Sequence, residues 1–132
     1  MKRVSSNDLS FVPAGHEQQD APGVLKKVLF RRGDLQSGVV QMVNWAKLPA
    51  GKTFTPHFHE DMQEVYIMLG GSARLVVDGQ TVTLERGDAV VIDPREVHQM
   101  WNDGHEDAEF LAFGIAPGTS GRSVIVPADE TP

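Results

Sequence analysis

The sequence predicts an all-β domain, a sandwich or a barrel. Short apolar runs recur along the chain with turn residues between them. Glycine (13) and proline (8) are spread throughout its 132 residues. No stretch carries the three-to-four-residue apolar spacing of an amphipathic helix.

The elements follow in order. Residues 24–30 form the first clear run, and residues 9–12 are a candidate short strand ahead of it. Residues 38–48 form the second run, ended by Pro49-Ala50-Gly51. Residues 64–69 close at Gly70-Gly71. Residues 73–77 and 80–84 flank Asp78-Gly79, the strongest two-residue hairpin signal. Residues 89–92 end at Asp93-Pro94, and 97–102, 109–115 and 122–126 complete the set. Regular spacing of eight or nine short strands reads as two packed sheets or a closed barrel. Residues 1–132 are read as one domain with a core at about 24–126, an N-terminal arm 1–23 and a loose tail 127–132.

Composition narrows the function. A formal charge of −6 disfavours nucleic acid and anionic membrane as partners. With no cysteine there is no disulfide, thiolate ligand or cysteine nucleophile. Lys2 and Arg3 are not followed by an apolar stretch, so the start is not read as a signal peptide, and the chain is expected to be soluble and cytoplasmic. On the 64–69 strand, Val65, Ile67 and Leu69 oppose Glu64, Tyr66 and Met68, and neither face is polar. A second sheet or a partner subunit must cover the outer one.

Three of the five histidines carry the chemistry. His57 and His59 are two apart, so on an extended backbone they point the same way. Glu64 heads the next strand and His98 lies far along the chain after a proline-containing turn. Three imidazoles and a carboxylate suit one divalent ion per chain (Fe, Mn, Ni, Co or Zn) rather than Ca or Mg. Four protein donors on an octahedral ion leave two positions for water, substrate or dioxygen, the mark of a catalytic site. The alternative is four polar residues without an ion, each needing its own hydrogen bonds.

The stretch Gly51, five residues, His57-Phe58-His59, four residues, Glu64, six residues, Gly71 resembles the first cupin motif. Gly87, ten residues, His98, three residues, Asn102 resembles the second. The second departs from its pattern at Asp93, where proline is usual, and at Arg95, where glycine is usual. The resemblance covers residues 51–102 and implies a cupin: a double-stranded β-helix or jelly-roll barrel with the metal inside, often a homodimer.

Residues in phase with the donors are candidates for the surroundings of the site. Tyr66 is the candidate proton donor, although a core tyrosine with a satisfied hydroxyl is the simpler account. Gln63, Met68, Met100, Asn102, Phe54 and Trp45 are candidates to orient the donors or line the pocket, with filling of the barrel as the competing account. The parity of the 38–48 strand stays open, since Val43 and Trp45 on one face are as apolar as Met42 and Leu48 on the other. His16 and His105 lie in polar loops and are expected to be exposed.

The expected function is dioxygenase-type chemistry on a small organic substrate at a His3Glu centre. Two alternatives remain open: a non-redox isomerase, lyase or cyclase, and a binding cupin without turnover.

Overall fold

The computed structural model describes residues 1–117 and 122–127. Among the described residues eleven strands run in chain order: β1 (Val12–Pro13), β2 (Leu25–Arg31), β3 (Val40–Leu48), β4 (His57–His59), β5 (Gln63–Gly70), β6 (Ser72–Val77), β7 (Gln80–Glu85), β8 (Ala89–Ile92), β9 (His98–Trp101), β10 (Ala108–Ile115) and β11 (Ser123–Ile125). They form two antiparallel sheets, β1-β2-β3-β10-β5-β8 and β11-β4-β9-β6-β7, packed as a jelly roll. Among the described residues, no helix is long and apolar enough to cross a membrane. Beyond Pro127, the tail expected to be loose lies outside the described residues.

Alternation along the strands builds the core. On β5, Glu64, Tyr66 and Met68 are buried while Val65 and Ile67 are only partly covered. On β3, Asn44, Ala46 and Leu48 are buried, which settles its parity and sends Trp45 to the outer face. Leu48, Leu75, Met68 and Met100 fill the interior at 0–1% exposure. The elements missed by the sequence reading are short. β4 has three residues with no apolar run, two 3-10 turns, Arg32–Asp34 and Gln36–Gly38, lie between the first two runs, and the second of them takes Gly38 from the expected second strand, which begins at Val40.

Turn chemistry follows backbone sterics. Asp78 and Gly79 both take positive φ (46° and 83°), as a tight hairpin twisted with its strands requires. Gly71 has φ +69°, and a Cβ there would stand 2.3 Å from the Asp107 carbonyl oxygen. Gly71→Ala therefore combines left-handed strain with a backbone clash and should cost about 3 kcal/mol, read as a lowered urea midpoint.

Arg95 answers the departure noted in the second motif. It adopts φ +70°, the conformation glycine would take for free, while its N–H donates to the His59 carbonyl at 2.7 Å. The turn keeps its shape at the expense of strain on a residue with a Cβ. Arg95→Gly should therefore stabilise the fold by about 0.5–1 kcal/mol, after the greater freedom of glycine in the unfolded chain is subtracted. A thermal melt showing no gain, or a loss, would contradict this.

Candidate metal centre

The two sheets supply the donors from opposite sides. β4 presents His57 and His59 inward and Phe58 outward. His98 opens β9 and is the register partner of His57. Glu64 comes from β5 in the other sheet. All four side chains are buried, and their donor atoms lie within 4.8 Å of one another. Two donors about 2.1 Å from a shared ion stand about 3.0 Å apart at right angles and 4.2 Å apart when opposed, so the cluster is close to ion-binding size.

Hydrogen bonding sets the tautomers. A backbone carbonyl only accepts, so Nδ1 of His57 donates to the Thr55 carbonyl at 2.7 Å and Nδ1 of His98 to that of Glu96 at 2.9 Å. Nε2 of a neutral ring is then a bare lone pair turned toward the cluster. Nε2 of His98 is buried without a hydrogen-bond partner and faces Oε1 of Glu64 at 3.4 Å. Nε2 of His59 stands 3.5 Å from the same oxygen. Acceptors gathered this closely in a dry interior need a cation between them. The residues present therefore fit a transition-metal ion.

The electrostatics agree. Burial pushes His57 well below the usual imidazole range, helped by His16 and His98, which keeps it neutral as a ligand must be. Burial presses the Glu64 carboxyl upward, but His59 and His98, which turn a proton toward it when no ion is bound, outweigh burial and hold the group well below the ordinary carboxylate range, ready as an anion. Tyr66 donates its hydroxyl to Oε1 of Glu64 at 2.9 Å, and burial, with Glu64 beside it, drives its own titration well above the ordinary phenol value.

Beside the cluster opens a cavity of about 220 Å³ whose wall includes His59, Glu64, Tyr66 and Phe54. Its floor exists because β10 turns small residues inward. Ala112 separates Tyr66 from Asn44 in the sheet, and Gly114 separates Glu64 from Met42. A Cβ at Gly114 would meet the Met62 sulfur at 2.2 Å.

Several expected surroundings lie elsewhere. Trp45 faces outward and its indole N–H donates to Glu109 at 3.1 Å, because β3 turns its other face to the core. Gln63 donates to Asp93 in an exposed bond. Met68 and Met100 are buried core residues outside the cavity wall. Asn102 donates to the Leu48 and Glu106 carbonyls and accepts from the Gly104 N–H, which makes it a buried brace between loops.

His16, expected to be exposed, is instead part of the site. Its ring stacks on His57 with centroids 3.9 Å apart, it lines the cavity, and burial lowers its pKa to about 4. Glu17 next to it holds the arm down. Its buried carboxylate accepts from the N–H groups of Gly23 (3.1 Å), Val24 (2.9 Å) and Thr55 (3.1 Å) and from the Thr55 hydroxyl. Asn44 also reaches the cavity wall, with its Oδ1 buried and lacking a hydrogen-bond partner.

Comparison with known proteins agrees with this geometry. The family model described as "Cupin domain" matches residues 44–114. An oxalate-binding protein of Thermotoga maritima is 38% identical over 69 residues, covering 52% of this chain and 57% of that protein, a little over half its length. The crystal structure of a predicted oxalate decarboxylase from Thermotoga maritima superposes with a TM-score of 0.77 at 27% identity, covering 87% of this chain and 99% of that one. The polyketide cyclase RemF from Streptomyces resistomycificus shares the fold, with a TM-score of 0.76 at 24% identity over 98% of this chain and 89% of its own.

Proposed function

Because the chain belongs to the cupin domain family, we propose that residues 1–132 act as one domain, a metal-dependent enzyme that works on a small organic acid inside the barrel. The observation that carries this reading is the set of lone pairs of His57, His59, His98 and Glu64 converging, buried, beside a cavity. These four residues would hold one Fe, Mn, Ni, Co or Zn ion per chain. Such an ion, when bound, supplies Lewis-acid polarisation of a substrate oxygen or, as iron, electrons for dioxygen.

The chain's own residues supply the rest. The Thr55 and Glu96 carbonyls fix His57 and His98 in one tautomer, so little reorganisation is needed on binding. Tyr66 keeps its proton and is placed to donate to an oxygen arriving beside Glu64. Phe54, Phe110, Met42 and Met62 keep water from the reacting end.

The donor set alone suits a dioxygenase. The likeness to an oxalate-binding protein and a predicted oxalate decarboxylase supports non-redox, lyase-type chemistry on an organic acid instead. Atmosphere separates the two. Metal-loaded protein offered oxalate, malonate, succinate and 2-oxo acids should turn one of them over at the same rate under argon as in air. Substrate-dependent oxygen uptake would return the reading to a dioxygenase. Tight binding without turnover in either atmosphere would make the protein a carrier.

The chain is also proposed to pair with a second copy of itself. Phe30, Val43, Phe113, Val65 and Val91 form one apolar row across five strands on the outer face of the six-stranded sheet, and Val91 is 55% exposed. An isologous contact would cover that row. Sedimentation should show a dimer in the native protein and a monomer in Val91→Glu; a native monomer would refute the pairing.

A further inference from the structure

Lys26 is the feature of the cavity that the metal reading does not use. It lies on the inward face of β2, in register with Ala46, and lines the same cavity as Glu64 and His59. It has no ion pair or hydrogen bond among the described residues, whereas its neighbours Lys27 and Lys47 lie over the Phe11 ring on the outer face at 4.6 and 4.2 Å. Burial lowers the Lys26 pKa and Arg31 adds to the effect, so the ammonium sits where its charge is least welcome. An anion beside a half-buried lysine in that position would offset the cost of its burial.

The walls between Lys26 and the donor cluster are largely apolar: Ala46, Met42, Met62, Phe110 and Ala112. Two buried polar atoms without hydrogen-bond partners belong to residues of the same wall, Oδ1 of Asn44 and Nε2 of His16. The cavity thus has a cationic end, a largely apolar waist, and an oxygen-seeking end.

We propose that this cavity selects a short-chain dicarboxylate, one carboxylate at the His57, His59, Glu64 and His98 cluster and the other paired with the Lys26 ammonium. The proposal rests on the metal reading above for its first contact only. Charge supports it: three neutral imidazoles, one carboxylate and a divalent ion leave one positive charge, and Lys26 adds a second, matching a dianion. Length excludes oxalate as the best fit. β2 lies three strands from β5 in the sheet, about 14 Å of strand spacing, and the row of Lys26, Ala46, Phe110 and Met68 crosses β5 four residues from Glu64, about 13 Å along the strand, so even the four-carbon lysine stem leaves a gap that two directly bonded carboxylates do not span. A chain of four or five carbons with an apolar middle fits the waist.

The test is titration calorimetry of metal-loaded protein with oxalate, succinate, glutarate and the neutral diamide of glutarate. The native protein should bind succinate or glutarate at least tenfold more tightly than either oxalate or the diamide. Lys26→Met, which keeps the stem and loses the charge, should bind the dicarboxylate at least tenfold more weakly with diamide binding, metal content and melting temperature unchanged. Lys26→Arg should restore most of the affinity. Equal dicarboxylate binding by the native protein and Lys26→Met overturns the proposal, as does a native preference for oxalate or the diamide. Elemental analysis reads the metal assignment separately. If the native protein takes up no ion, the same titration on the metal-free form decides: Lys26-dependent glutarate binding sustains the cationic end, and its absence overturns it.

Discussion

Replacing His57 and His59 together by alanine should leave less than a tenth of the metal that the native protein holds. The two residues are half the donor set and occupy one wall of the cluster, and a surviving imidazole and carboxylate would chelate far more weakly. Elemental analysis of protein purified with and without added Zn, Fe, Mn, Ni and Co reads the result directly. The thermal consequence should be equally large. An ion at a thousand times its dissociation constant stabilises the folded form by about 4 kcal/mol, so chelation of the native protein should lower its melting temperature by on the order of 10 °C. The double variant should melt at one temperature with or without chelator. Stoichiometric metal in that variant would contradict the assignment of the four donors.

Glu17→Ala should be among the most damaging single changes outside the donors. The carboxylate is 7% exposed, and it is satisfied by hydrogen-bond donors rather than by a counter-charge. Truncation would strand the N–H groups of Gly23, Val24 and Thr55 in the interior, and each buried donor left without a partner costs about 1–3 kcal/mol before water enters. A total loss of about 3 kcal/mol is expected in denaturant unfolding. Thr55 also accepts from His57, so loosening this contact should propagate to the first donor and weaken metal affinity by about tenfold. Glu17→Gln retains an acceptor oxygen and should recover part of both losses. Native stability and affinity in Glu17→Ala would show that the arm is merely draped over the barrel.

Much of this was readable in the residues themselves. Asp78-Gly79, Gly70-Gly71 and Pro49-Ala50-Gly51 punctuate the chain strongly, so β6, β7 and β8 fall within a residue of their expected limits. His57 and His59 share a face by parity alone, and the structure brings them together with Glu64 and His98. The parity of β3 was not readable, because both of its faces are apolar; only the tertiary choice that pairs Trp45 with Glu109 decides it. His16, Glu17, Lys26 and Asn44 were missed for a related reason. A histidine in a polar loop has no periodicity to mark it, and the contacts of Glu17 with Thr55 join residues far apart in sequence. The one advance signal was chemical: a His-Glu pair in an otherwise small and polar arm.

The division of donors between the two sheets, with Glu64 in one and the three histidines in the other, bears on how the molecule comes apart. A cation bridging them would act as a rivet through the sandwich. The layers could not separate until it had left, so its departure, more than the balance of burial and entropy, would govern how long a loaded molecule survives against proteolysis.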